Sequence, residues 1–125
     1  GWARPGLMLY GCSPFADWSA ADIGLKPAMT LKSELIAVQN LAQGERVGYG
    51  FAYEAKQDMT IGIVACGYAD GFLRALSHAT GKAGPVGYIG DYPVPLVGRV
   101  SMDFITVDVT DLAVRGGEIS TRRCM

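Results

Sequence analysis

Four short segments carry groups able to do chemistry: Arg4-Pro5-Gly6-Leu7, Gly48-Tyr49-Gly50, Gly67-Tyr68-Ala69-Asp70-Gly71 and Gly98-Arg99-Val100-Ser101-Met102-Asp103. Tyr49 stands between two glycines after a predicted strand, so little crowds its hydroxyl, which can be presented into a cleft. A free tyrosine phenol titrates at about 10, and acid/base work near neutrality needs cations or hydrogen bonds that favour the phenolate. The plain alternative is a tyrosine packing its ring on the rim of a sheet. Tyr68 follows an apolar run, and Asp70-Gly71 is a common turn pair. Tyr68 therefore equally caps a core while Asp70 shapes the turn. Arg4 is held extended by the proline after it. There it can donate to a ligand nitrogen or a carboxylate, or stand as an ordinary surface charge. Met102-Asp103 interrupts a β pattern, and a bulge there either offers a backbone N–H to an anion or is only a bulge.

The elements that must position these groups are mostly strands. Met29 to Leu41 is largely apolar and carries β-formers. Gln43-Gly44 makes a turn, and Glu45 to Tyr49 a short return strand. Thr60 to Ala65 is a nearly continuous apolar run of strand length. Phe72 to Leu76 fits one or two helical turns, and Gly81 to Pro85 a loop. Gly90-Asp91 between Gly87-Tyr88-Ile89 and Tyr92 to Val97 suits a type II′ hairpin. Phe104 to Val109 alternates as a half-buried strand does. Glycine-punctuated short strands predict a mostly-β fold, a β-barrel or Greek-key-like domain. Gly11 to about Pro27 is rich in Ser, Pro, Asp and Gly and has the composition of a connection.

Composition excludes several classes. The 125 residues are 50% hydrophobic and 18% charged, which argues against disorder. Eleven basic and twelve acidic residues give a net charge of −1 and no sign of a nucleic-acid or anionic-membrane partner. The 17 glycines have no three-residue period, so they serve turns and close backbone approaches. Cys12, Cys66 and Cys124 fit neither a disulfide framework nor a zinc pattern, and a reducing, cytoplasmic setting is expected. With His78 the single histidine, a histidine triad or His-rich metal site within this chain is not expected. No apolar run approaches the roughly 18 residues of a membrane span. No P-loop, G-x-S-x-G or Rossmann fingerprint is present. The first residue is Gly1, not Met, which suggests a chain that begins within a longer protein.

Taken in order, the four segments resemble the C-terminal part of the bacterial alanine racemases over about Trp2 to Leu112. After about Ala113 the resemblance stops, before a further phosphate-contacting tyrosine that the family carries. The resemblance implies an isomerase that interconverts L- and D-alanine through an aldimine of pyridoxal 5′-phosphate (PLP). It implies a homodimer whose active sites each combine one subunit's (β/α)8 barrel with the other's β-domain. On this basis residues 1–11 end the PLP barrel, 12–28 connect, and 29–125 form the C-terminal β-domain, with 113–125 atypical. By position, Tyr49 matches the catalytic tyrosine, acting on the α-proton of L-alanine across the dimer. Arg4 matches the arginine facing the pyridine nitrogen, and Gly6 and Leu7 the backbone that holds the phosphate. Met102 matches a backbone N–H near the substrate carboxylate. Tyr68 matches a residue narrowing the entrance, and Arg74 and Arg99 match outer channel residues. None of Lys26, Lys32, Lys56 and Lys82 stands in the context of the family's PLP lysine, so these 125 residues alone are expected to be inactive. Two alternatives share the motifs: a serine or broad-specificity amino-acid racemase, and a non-catalytic β-barrel interaction domain of racemase ancestry.

Overall fold

The structure, a computed structural model, describes residues 1–77 and 86–114. The predicted loop at Gly81–Pro85, His78, Lys82, Cys124 and the segment after Val114 lie outside the described residues. The chain divides into two compact units, Gly1–Leu31 and Lys32–Met125.

In the first unit, Leu7 to Tyr10 lies in a 3-10 turn over Gly6–Tyr10, which begins where Pro5 presets the backbone. The turn ends at Gly11, whose N–H donates to the Met8 carbonyl at 3.0 Å. The polar stretch that follows is ordered locally. The Ser19 N–H and hydroxyl donate to Asp22 Oδ2 at 2.9 and 2.7 Å, and the Asp22 N–H returns to Ser19 Oγ. This reciprocal pair leads the 3-10 turn Ala21–Ile23. The Ser19 hydroxyl, then its N–H, holds the Asp22 carboxyl below the usual carboxylate range.

The second unit is mostly β, as its strand periodicity predicts. Its strands are β1 (Leu35–Leu41), β2 (Arg46–Val47), β3 (Tyr53–Glu54), β4 (Met59–Val64), β5 (Val86–Ile89), β6 (Tyr92–Val97) and β7 (Ile105–Asp108). Five form an antiparallel sheet in the order β1-β4-β7-β6-β5, while β2 and β3 make a separate ribbon. Among the described residues the sheet is open, and no pairing joins β1 to β5 to close the expected barrel.

The unbroken apolarity of β4 has a simple cause: it lies between β1 and β7 and faces a core on each side. Met59 and Ile61 join Ala55 and Val97 on one side, and Val64 joins Leu35, Leu96, Ile105, Val107 and Val109 on the other. In β7 the alternation places Ile105 and Val107 in the core and leaves Thr106 and Asp108 partly exposed. The β5–β6 hairpin turns at Gly90-Asp91 with Gly90 at φ +61° and Ile89 opposite Tyr92. Only the first turn residue takes a positive φ, as a type II′ turn requires.

Three boundaries differ from the sequence expectation. Residues 29–34 precede β1 rather than belonging to it, and Ser33 instead donates its hydroxyl to the Ala65 carbonyl. The return strand is only Arg46–Val47, because Gly48 leaves the β region (φ +85°, ψ +163°) and Tyr49 enters a 3-10 turn. A short helix, α1 (Thr110–Val114), follows β7. Asp108 Oδ1 accepts the Thr110 N–H at 3.0 Å and so leads into it.

Candidate functional site

The site is built on the connection between β6 and β7, residues 98–104. Met102-Asp103 is not a bulge within a ladder: strand pairing ends at Val97 and resumes at Ile105. The connection is closed at its base by Ser101, whose N–H and hydroxyl both donate to the Phe104 carbonyl, at 3.0 and 2.7 Å. Its tip leaves Met102 exposed.

Two segments dock on this connection. The first is the turn joining β2 to β3. Gly48 has a backbone conformation essentially reserved for glycine, and a β-carbon on it would meet Arg99 N at 3.0 Å and Gly98 Cα at 3.3 Å. A β-carbon on Gly98, at φ +78°, would lie 3.5 Å from Gly48 Cα, an ordinary contact. Gly48 thus lets two backbones touch. The turn continues through Tyr49, Gly50 and Phe51, closed by a 3.1 Å bond from the Phe51 N–H to the Gly48 carbonyl. Phe51 is the one non-glycine among the described residues with a positive φ, +52°. Such a conformation is uncommon for an aromatic residue and marks a locally constrained turn. Tyr49 is carried at its tip, 73% exposed. Arg99 leans over the turn: its Nη1 would lie 3.1 Å from a β-carbon on Gly50.

The second segment follows β4. The 3-10 turn Tyr68–Asp70 donates two N–H groups to the connection, Tyr68 to the Ser101 carbonyl at 3.0 Å and Ala69 to the Met102 carbonyl at 2.9 Å. Gly67 packs its backbone on the Met102 carbonyl with no room for a β-carbon. The guanidinium carbon of Arg74 lies 5.7 Å from the centre of the Tyr68 ring, within cation–π range. Ser77 ties this segment down from behind. Its hydroxyl donates to the Arg74 carbonyl at 2.6 Å and accepts the Val100 N–H at 3.0 Å.

The fold therefore gathers the Tyr49 turn, Tyr68, Arg74, Arg99 and Met102 around one connection, although Tyr49 and Met102 are 53 positions apart in the sequence. Arg4, Gly6 and Leu7 lie in the unit Gly1–Leu31 and are exposed there. Tyr53, close to Tyr49 in sequence, is a different kind of tyrosine. It packs against the core of Ala55, Met59, Ile61 and Val97, and burial, then the Asp108 carboxylate, pushes its phenol up. Burial, then the Asp70 charge, likewise pushes the Cys66 thiol up. Three contributors escape sequence reasoning: Ser77, Ser101 and the acceptor role of Asp70. Each works through backbone bonds to residues brought near by folding. Asp70-Gly71 was visible only as a turn.

Fold and site together define a mostly-β domain that offers a tyrosine turn, two arginines and a backbone amide around one loop. A family model described as "Alanine racemase, C-terminal domain" matches residues 28–121, and the chain belongs to that family. The alanine racemase of Laribacter hongkongensis is 53% identical over 115 residues, covering 92% of this chain and 31% of that protein. The crystal structure of biosynthetic alanine racemase from Pseudomonas aeruginosa superposes with a TM-score of 0.78 at 44% identity, covering 95% of this chain and 31% of that one. An alanine racemase structure from Bartonella henselae with covalently bound pyridoxal phosphate gives a TM-score of 0.64 at 29% identity, over 86% of this chain and 28% of that one. The chain thus spans about a third of the length of its relatives. Among the described residues no helix is long and apolar enough to cross a membrane.

Proposed function

We propose that this chain is the C-terminal part of a cytoplasmic, PLP-dependent alanine racemase, in which Tyr49 is one of two opposed acid/base groups. The observation that carries this reading is the convergence of two separate segments on residues 98–103, which leaves Tyr49 exposed beside Arg99.

The donors in the first unit suit the cofactor. Among the described residues the Gly6 and Leu7 N–H groups donate to no acceptor, so both are available to a phosphate. Arg4 is exposed and can donate to a ring nitrogen without giving up its own proton. PLP, where bound, supplies the electron sink that makes the α-proton of alanine removable. Arg4 would hold the cofactor at its ring nitrogen, and a donor that keeps its own proton would temper that sink and limit side reactions.

The Tyr49 oxygen takes the α-proton from L-alanine as phenolate, or returns it as phenol, on one face. The base on the opposite face is a lysine outside these 125 residues, so the isolated chain does not racemise alanine. The Met102 N–H donates to the substrate carboxylate. Tyr68, Arg74 and Arg99 line the entrance, which narrows access and admits an anion-bearing substrate. The active enzyme is a homodimer in which Tyr49 serves the partner's cofactor and Arg4 its own.

The test is Tyr49→Phe in the full-length enzyme with PLP. Positioned acid/base groups contribute about 10² to 10⁴ in rate, and kcat/KM for alanine falls by that order. A variant within about threefold of the parent contradicts the assignment.

A further inference from the structure

The Met102 N–H belongs to the Ser101–Met102 peptide unit, which is planar and trans, so the Ser101 carbonyl and the Met102 N–H point in opposite directions. That carbonyl accepts the Tyr68 N–H at 3.0 Å, and the next one, Met102, accepts the Ala69 N–H at 2.9 Å. The 3-10 turn Tyr68–Asp70 therefore grips two successive carbonyls and directs the Met102 N–H away from itself. Among the described residues that N–H donates to no acceptor. The turn in its own right is closed by Asp70. Its Oδ2 accepts the Gly67 N–H at 2.8 Å, while its N–H donates to the Gly67 carbonyl at 3.1 Å. Gly67 is buried, and its backbone is the part that lies on the Met102 carbonyl.

We propose that Asp70 is a positioning residue that sets the direction of the Met102 N–H toward the substrate carboxylate. It acts through the Gly67–Asp70 turn and touches no substrate. The inference rests on the reading of Met102 given under Proposed function. Without an acceptor at position 70 the Gly67 N–H is left buried and unpaired, and the turn must reorganise to satisfy it. The carbonyls it holds then lose their fixed direction. Substrate binding weakens, while the proton transfer at Tyr49, on a separate turn, does not.

The experiment uses the full-length holoenzyme and three variants, Asp70→Ala, Asp70→Asn and Asp58→Ala. Asp58 accepts the Gln43 N–H at 2.9 Å, a comparable carboxylate-to-backbone bond outside the site, and serves as the control. Each is assayed for KM and kcat with alanine and titrated with acetate as a carboxylate probe, followed by the 15N-methionine amide signal of Met102. D70A is expected to raise both KM and the acetate Kd by about tenfold, the weight of one well-placed hydrogen bond, with kcat within about twofold. D70N keeps an acceptor oxygen and restores both to within about threefold, and D58A changes neither. Unchanged KM and acetate Kd in D70A overturn the positioning role, as does a loss of stability or kcat alone. If D70A does not fold, Asp70→Ser, with a shorter acceptor arm, takes its place: a KM above that of D70N supports the role and an equal KM overturns it. A Met102 amide signal that acetate leaves unmoved in the parent enzyme overturns the reading of Met102 itself, and with it the inference.

Discussion

The guanidinium of Arg99 lies against the backbone of Gly50, so close that a β-carbon there would stand 3.1 Å from Nη1. One glycine along, Gly48 meets not a side chain but the backbone N of Arg99. The two glycines flanking Tyr49 are thus required for different reasons, and their substitutions separate.

Gly50→Ala places an alanine at φ +73°, a cost of about 1–2 kcal/mol, while the exposed Arg99 can swing aside. Gly48→Ala meets immobile backbone in a conformation open essentially to glycine alone, and costs more, about 2–4 kcal/mol. Urea unfolding of both variants gives the order directly, and a Gly50→Ala loss exceeding that of Gly48→Ala contradicts the packing described.

Gly67 has an ordinary extended backbone, φ −143°, so conformation does not forbid alanine there. Space does: the β-carbon overlaps the Met102 carbonyl. Gly67→Ala must push the turn off the connection and stretch the Ala69-to-Met102 bond, for about 1–3 kcal/mol. KM for alanine in the full-length enzyme should rise as stability falls. A fully stable Gly67→Ala variant with normal KM would show that the turn and the connection are not in contact.

The thiols differ in exposure. Cys12 is exposed, whereas Cys66 is buried with its thiol pushed up by burial and then by the Asp70 charge. A raised thiol carries less thiolate, the reactive form, at any given pH. In a Cys124→Ser background, alkylation at pH 8 modifies Cys12 first, and Cys66 labelling sets in at higher pH. Equal rates at pH 8 would contradict the burial of Cys66.

Sharing of the site between subunits is open to complementation. If the sites are shared between two subunits as proposed, co-expressed Tyr49→Phe and Arg4→Ala subunits pair at random, and each mixed dimer regains one site that holds both Arg4 and Tyr49. Activity then approaches about a quarter of the parent's, above the mean of the two separate variants. A co-expressed sample that matches that mean argues for sites built from one subunit.

Much of this was readable from residues alone. Strand alternation at Ile105 to Val109, the Gly90-Asp91 hairpin and the apolar run of β4 each express one local rule, and the structure follows them. The four segments in order pointed to the family that the comparisons establish. Less legible was the end of the return strand. Gly48 breaks from β geometry because Gly98, 50 positions later, arrives against it, and no local pattern encodes that encounter. The left-handed Phe51 was equally hidden, since aromatic residues favour strands and the surrounding turn overrides that preference. Asp70 reads as a turn-former and Ser77 carries no local signal, and their bonds to Gly67 and Val100 show only in three dimensions.

The most direct test of the central claim follows deuterium at the α-carbon. The full-length Tyr49→Phe holoenzyme is incubated separately with α-deuterated L-alanine and α-deuterated D-alanine, and loss of label is followed by proton NMR. If Tyr49 is the group that removes the proton from L-alanine, the variant releases deuterium from D-alanine but not from L-alanine, and forms no opposite enantiomer from either. Release from both enantiomers at the parent's rates would contradict the assignment of Tyr49.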